Sequence, residues 1–299
     1  MINTDGDVWR VHRRITGQVF SERLHHDVWE ESVKQAGFMM KSWLTSNNSD
    51  SNLIHVPSIE DDALRLTLNV ITGAAYGCPL RWDESPPSAS PTTLSFRTSV
   101  QQFNAHLMPI YLTPKWLLRF AWRDSTRGRA WEAYTGFEGY LRGLLDRQRV
   151  NLNAGDCLEE NLLTTLIRAG GQGEDKESRK MNAEEVMGNT FIILFAGHET
   201  TANTVHYSLL LLAQRQDVQR FLLNEIDNIY DRAAQEGRCQ LNYELDFNRA
   251  RWAIAVMVSI QKPYSNALPD FPGAVRNTSN VYADRHNEQV DCNRTIDPI

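Results

Sequence analysis

Met187–Ala213 reads MGNTFIILFAGHETTANTVHYSLLLLA, an apolar run interrupted in its middle by Gly197, His198, Glu199 and Thr200. A carboxylate and an imidazole set among Phe, Ile and Leu lose hydration, so they are either satisfied by partners or placed there for chemistry. The pattern favours chemistry. Asn182 precedes Ala183, Glu184 and Glu185, an Asn-x-x-Glu start that resembles a capping box and puts acids where the helix dipole favours them. Apolar residues continue to Leu212 without a proline, which predicts one helix of roughly thirty residues, about 45 Å long at about 1.5 Å per residue.

Such a length points to a coiled coil, a membrane span or one central helix crossing an α-rich domain. No heptad with charged flanks is present, which excludes the first. The run is long enough to span a bilayer core of about 30 Å. A central acidic residue, however, costs roughly 2.5 to 3.5 kcal/mol on an insertion scale, and Glu199 has His198 and His206 around it. A zinc-hydrolase motif needs a second His four residues after His198, and that position is Ala202. The remaining reading is a central helix.

Ala196-Gly197-His198-Glu199-Thr200-Thr201 resembles the oxygen-binding motif, (Ala/Gly)-Gly-x-(Asp/Glu)-Thr, in the central helix of cytochrome P-450 haem-thiolate monooxygenases. The residue types suit that task. A small residue at Gly197 lets the helix face approach a flat cofactor, and Thr200 can bond back to the Ala196 carbonyl and locally open the helix. The resemblance implies that Ala196, Gly197, Glu199 and Thr200 form the catalytic face, with Glu199 and Thr200 relaying protons toward dioxygen. The structural alternative is a kinked core helix with a satisfied Glu.

A second motif lies far away in the chain. GDVWRVHRRITGQVF puts Trp9, His12 and Arg13 at i, i+3 and i+4, one face of a helix. In the family, Trp-x-x-x-Arg in an early helix donates to a haem propionate; Trp9 and Arg13 match it, and His12 resembles a common third donor. Indole N–H and guanidinium are donor-only groups, and Arg pairs strongly with carboxylates. An amphipathic surface helix anchored by Trp9 would look the same in isolation. The two motifs together, in the family's order, carry the resemblance.

The fold class expected is mainly α, a cytochrome P-450-like helical core, incomplete, with a long central helix. Ser58-Ile59-Glu60-Asp61 reads as a helix start, and Leu64, Leu68, Ile71 and Ala75 form an apolar stripe ending at Gly77. Asp83–Thr93, DESPPSASPTT, is a loop by composition. Further helices are expected around Ser95–Leu107, Gly128–Arg149 and Glu160–Ala169, the last followed by the polar connector GGQGEDKESRK. Asp217 can cap a segment whose Phe221, Leu222, Glu225 and Ile229 share a face. No strongly alternating strands are evident before residue 250.

The chain has 299 residues, enough for a sizeable core, and a net charge of -6, which argues against a nucleic-acid partner. Its four cysteines, Cys78, Cys157, Cys239 and Cys292, have no metal spacing and read as reduced. The opening Met-Ile-Asn-Thr-Asp-Gly-Asp carries no apolar signal or anchor. The resemblance implies an N-terminal sheet and helices ahead of Trp9, and for a complete eukaryotic relative a location on the cytosolic face of the endoplasmic reticulum membrane.

Leu245–Met257 resembles the first half of the helix in which the family places Glu-x-x-Arg, but that pair does not follow. Residues 258–299 contain scattered Pro and Asn without periodicity, and neither Asp291 nor Asn293 around Cys292 matches the family's Phe-x-x-Gly-x-Arg-x-Cys-x-Gly loop. The expected organisation is therefore a partial helical domain over residues 1–257 and a non-homologous, disordered tail over 258–299, arising from truncation or from read-through at a splice site. No residue is assigned as metal ligand.

Two functional readings stand. The resemblance implies a haem-dependent monooxygenase that inserts one atom of O2 into a small apolar substrate with electrons from a reductase partner. The alternative is a non-catalytic helical fragment that binds a hydrophobic ligand or partner, since without a thiolate nothing pushes electron density onto the iron. For the chain as written, lacking the cysteine loop, inactivity and no stable haem binding are expected.

Overall fold

The structure, a computed structural model, describes residues 5–46, 54–82, 96–122, 124–154, 161–171 and 181–260. The expected loop at Asp83–Thr93, most of the GGQGEDKESRK connector, the tail beyond Ile260, Cys157 and Cys292 lie outside the described residues. Every regular element among the described residues is helical. By internal contacts the chain separates into two compact units, Met1–Asn203 and Thr204–Ile299.

The first unit contains α1 (Gly6–Val19), α2 (Glu22–Ser46), α3 (Ile59–Val70) with a π-helical turn at Ile71–Ala75, α4 (Phe96–Ala105), α5 (Leu107–Leu112), α6 (Lys115–Arg119), α7 (Thr126–Ala154), α8 (Leu162–Gly171) and most of α9 (Ala183–Gln214). Ser58 starts α3 as expected, its hydroxyl accepting from the Asp61 amide at 3.2 Å. Leu68 and Ala75 of the predicted stripe are buried, and Gly77 ends it at φ +62°, where a side chain would be strained. The core gathers Leu24, Leu68, Tyr76, Phe103, Phe137, Leu141, Leu163, Leu166 and Leu194. Phe191 joins α9 to it, with Phe103 and Phe137 at centroid distances of 5.3 and 5.6 Å.

One long element was not expected. Helix α2 has only Leu24, Gln35 and Met39 buried, while Val28, Val33, Phe38, Met40 and Leu44 stay exposed, so its apolar stripe is weak. Its seat is polar instead. Gln35 donates to Glu31 Oε1 at 2.7 Å and to the Leu80 carbonyl at 3.2 Å, and accepts from Asn69 Nδ2 at 2.9 Å. Burying Gln35 and Asn69 is tolerable because each finds partners.

Short α5 and α6 form an apolar rim. Tyr111, Leu112, Trp116, Phe120 and Trp122 are between 66% and 80% exposed, beside the exposed cations Lys115 and Arg119. No helix among the described residues is long and apolar enough to cross a membrane.

The second unit holds the end of α9, α10 (Gln216–Gln235), α11 (Tyr243–Asp246), a 3-10 turn (Phe247–Arg249) and α12 (Arg251–Ile260). Asp217 is not the cap expected for α10. Arg215 occupies that position, and Asp217 sits in the first turn, where its carboxylate takes the Arg215 guanidinium at 2.7 and 2.9 Å. That pairing holds the Asp217 carboxyl down at about 2. The predicted face is confirmed: Phe221 stacks on Trp252 at 5.0 Å, and Glu225 accepts the Trp252 amide at 2.9 Å, placing a carboxylate on the N-terminus of α12.

Candidate functional site

The long helix begins as its sequence suggests. The Glu185 amide donates to Asn182 Oδ1 and Glu185 Oε2 accepts the Asn182 amide, both at 2.8 Å, a reciprocal capping box. From there α9 runs 32 residues. It is α-helical throughout.

At the middle of α9 each residue of the motif has its own environment. His198 is buried and its Nε2–H donates to the Leu64 carbonyl of α3 at 3.2 Å, while Nδ1 is buried with no partner. Burial holds the imidazole below its ordinary value, an effect the Leu64 bond only partly offsets. A Cβ on Gly197 would lie 2.9 Å from Ile71 Cδ1 in the π-helical turn. Smallness at 197 therefore lets α9 seat against its neighbour within the chain, whereas the sequence suggested clearance for a cofactor. Glu199 is half-buried. Ala196 and Thr200 are exposed, and the Thr200 hydroxyl donates to the Ala196 carbonyl at 2.5 Å, the back-bond the sequence suggested.

On α1 the three predicted residues separate into two groups. Trp9, 39% exposed, and Arg13 share the outward side, with the guanidinium 5.3 Å over the indole. His12 turns the other way and is 3% exposed. Its Nδ1 lies 3.3 Å from Asn189 Nδ2 and its Nε2 lies 3.5 Å from Glu185 Oε1, both on α9. The first turns of α9 were read only as a helix start. Asn189, one of the side chains that meet His12, gave no sequence signal, because its partner is 177 positions away.

Cys78 is half-buried near Gln148 and Cys239 is exposed in the second unit, neither of them in a disulfide. No cluster of three or more metal-binding side chains occurs among the described residues. Arg13 stacked on Trp9 is a planar cation of the kind that holds a carboxylate, and Ala196 and Thr200 give α9 a small, hydroxyl-bearing face.

The sequence model of the cytochrome P450 family matches residues 1–243, and the chain belongs to that family. It is 30% identical over 279 residues to cytochrome P450 monooxygenase prx9 of Penicillium rubens, covering 87% of this chain and 46% of that protein. Cytochrome P450 monooxygenase AOL_s00215g278 of Arthrobotrys oligospora is 32% identical over 260 residues, with 79% of this chain and 43% of the relative covered. The chain thus spans about half the length of the curated relatives it matches. Among solved structures it resembles the cytochrome P450DA haem domain, with a TM-score of 0.59 at 18% identity over 82% of this chain and 47% of that one. It also resembles the cytochrome P450 CYP102L1, with a TM-score of 0.61 at 18% identity over 85% and 53%. Those structures show the shared fold.

Because His198 is held neutral by burial, the unfolded chain binds a proton at that site more readily than the folded one. The sign follows: the stability present above the ordinary histidine value of about 6.5 is lost as pH falls below it. Urea unfolding of the parent and of His198→Gln at pH 7.5 and 5.5 should show a smaller loss of stability in the variant. Equal losses would mean that His198 is not held neutral.

Proposed function

We propose that α1 and α9 supply the propionate-side and oxygen-side residues of a haem-dependent monooxygenase. The observation that supports it most directly is the Thr200–Ala196 bond on an exposed helix face, in a chain whose α1 also presents Arg13 stacked on Trp9. Bound haem would supply the activation of O2 with electrons from a reductase, for insertion of one oxygen atom into a small apolar substrate. Arg13 and the Trp9 indole would hold a propionate by charge-assisted hydrogen bonds. Thr200 has its own proton committed to the Ala196 carbonyl on this exposed face. It would accept from a proton-bearing group and fix where that proton is delivered. Glu199, half-buried next to it, would replenish the proton.

In a protein of full family length carrying these residues, Thr200→Ala should keep haem content while electron consumption is diverted from product to peroxide. Arg13→Ala should lower haem affinity about tenfold, the equivalent of one lost charge-assisted contact. Product coupling that survives Thr200→Ala, with haem equally retained in Arg13→Ala, would remove both assignments.

A second reading applies to the chain as it stands, and the cysteines favour it. Cys78 is packed near Gln148, Cys239 is in the second unit, and Cys292 is flanked by Asp291 and Asn293 in place of glycines. In sequence none of the three matches the family's Phe-x-x-Gly-x-Arg-x-Cys-x-Gly loop, which would carry the thiolate. The chain mixed with hemin, reduced and exposed to carbon monoxide should show no thiolate-type absorption band; the appearance of that band would overturn this reading.

For the complete protein we place the site at the cytosolic face of the endoplasmic reticulum membrane. The support is the rim of α5 and α6, where aromatic side chains beside Lys115 and Arg119 suit an anionic interface. Co-sedimentation with vesicles containing phosphatidylserine should fall in Trp116→Ser/Phe120→Ser, and unchanged partition would argue against this placement.

A further inference from the structure

His12 lies on the helix that carries Trp9 and Arg13, yet it points at α9. The inward side of α1 is formed by His12 and Thr16, both buried, with Thr16 Oγ1 donating to the His12 carbonyl at 2.7 Å. On α9 the His12 ring meets a small polar cluster. Asn189 Nδ2 donates to the Glu185 carbonyl at 2.8 Å and stands 3.3 Å from His12 Nδ1. The orientation of this amide is determined by its neighbours, because a flip would set Asn189 Oδ1 against the Glu185 carbonyl. Asn189 Nδ2 can only donate, so His12 Nδ1 must accept, and the ring proton resides on Nε2. That proton faces Glu185 Oε1 at 3.5 Å, in a pair whose other carboxylate oxygen accepts the Asn182 amide of the capping box.

We propose that His12 is a positioning residue which, through Asn189 and Glu185, registers the Trp9–Arg13 clamp on α1 against the helix that bears Ala196 and Thr200. The proposal rests on the haem reading for what the clamp holds, and on α1 and α9 alone for the registration. An imidazole is suited to this post because its Nδ1 accepts from Asn189 while Nε2, which makes no hydrogen bond, stands 3.5 Å from Glu185 Oε1. A Gln can do the same through its two amide atoms. A Leu fills the space and can do neither. Arg13 and Trp9 are adjacent to His12 around the helix, so a loosened α1 would carry both donors out of register although neither is altered.

Two measurements decide it. In hydrogen exchange of the full chain without haem, His12→Ala and His12→Leu should each raise exchange of the 6–19 peptide on the order of tenfold. Asn189→Ala should do the same, the double variant should add nothing further, and His12→Gln should restore protection. Arg13→Ala should leave exchange at the parent rate. In hemin titration of a protein of full family length carrying these residues, His12→Ala should weaken binding as far as Arg13→Ala does, with His12→Gln close to the parent. Parent-like exchange in His12→Ala, or protection restored equally by Leu and Gln, would overturn the registration. Weaker hemin binding in Arg13→Ala but not in His12→Ala would overturn the positioning role. If neither variant changes hemin binding while the exchange pattern holds, the haem reading itself falls, and the claim that His12 positions a cofactor clamp falls with it.

Discussion

The seat of α9 on α3 is the constraint from which the candidate site follows. Gly197 lets the Ile71 side-chain tip approach where a Cβ would make it shift, and His198 closes the contact with its bond to the Leu64 carbonyl. Successive helical residues are about 100° apart, so with His198 turned inward, Ala196 and Thr200 must lie almost opposite. Their exposure is therefore a consequence of what two neighbouring residues bury.

The polar groups of the first unit follow one economy. His198, His12, Gln35 and Asn69 are all buried, and each bonds or faces a group on another helix. In a core of helices, apolar contact is adaptable and tolerates sliding, whereas a directed donor and acceptor fix one register. Partial satisfaction accompanies the arrangement: His198 Nδ1, Asn189 Oδ1 and His12 Nε2 have no partner. Such groups are costly, which makes these ties stronger statements about register than about net stability.

The long helix, its capping box, the Ser58 start, the Gly77 stop and the Thr200 back-bond were legible because each is local, a matter of residues three or four positions apart. Helix α2 was not legible, since its seat depends on Asn69 and Leu80, which lie far along the chain from Gln35. The Asp217 assignment failed for a related reason. An acid near a helix start has two uses, capping an amide or pairing with a cation, and the adjacent Arg215 decides for the second.

The sequence by itself determined the family, the all-helical character of the described residues and the outward pair Trp9 and Arg13, because these rest on residue types at fixed helical spacing. It could not determine that Gly197 and His198 serve the packing of α9, or that His12 separates from its two neighbours and faces Asn189. Those are choices between the two sides of a helix. Which side is covered depends on what another helix presents, and only the tertiary structure brings residues 64, 71 and 189 to the places where that choice is made.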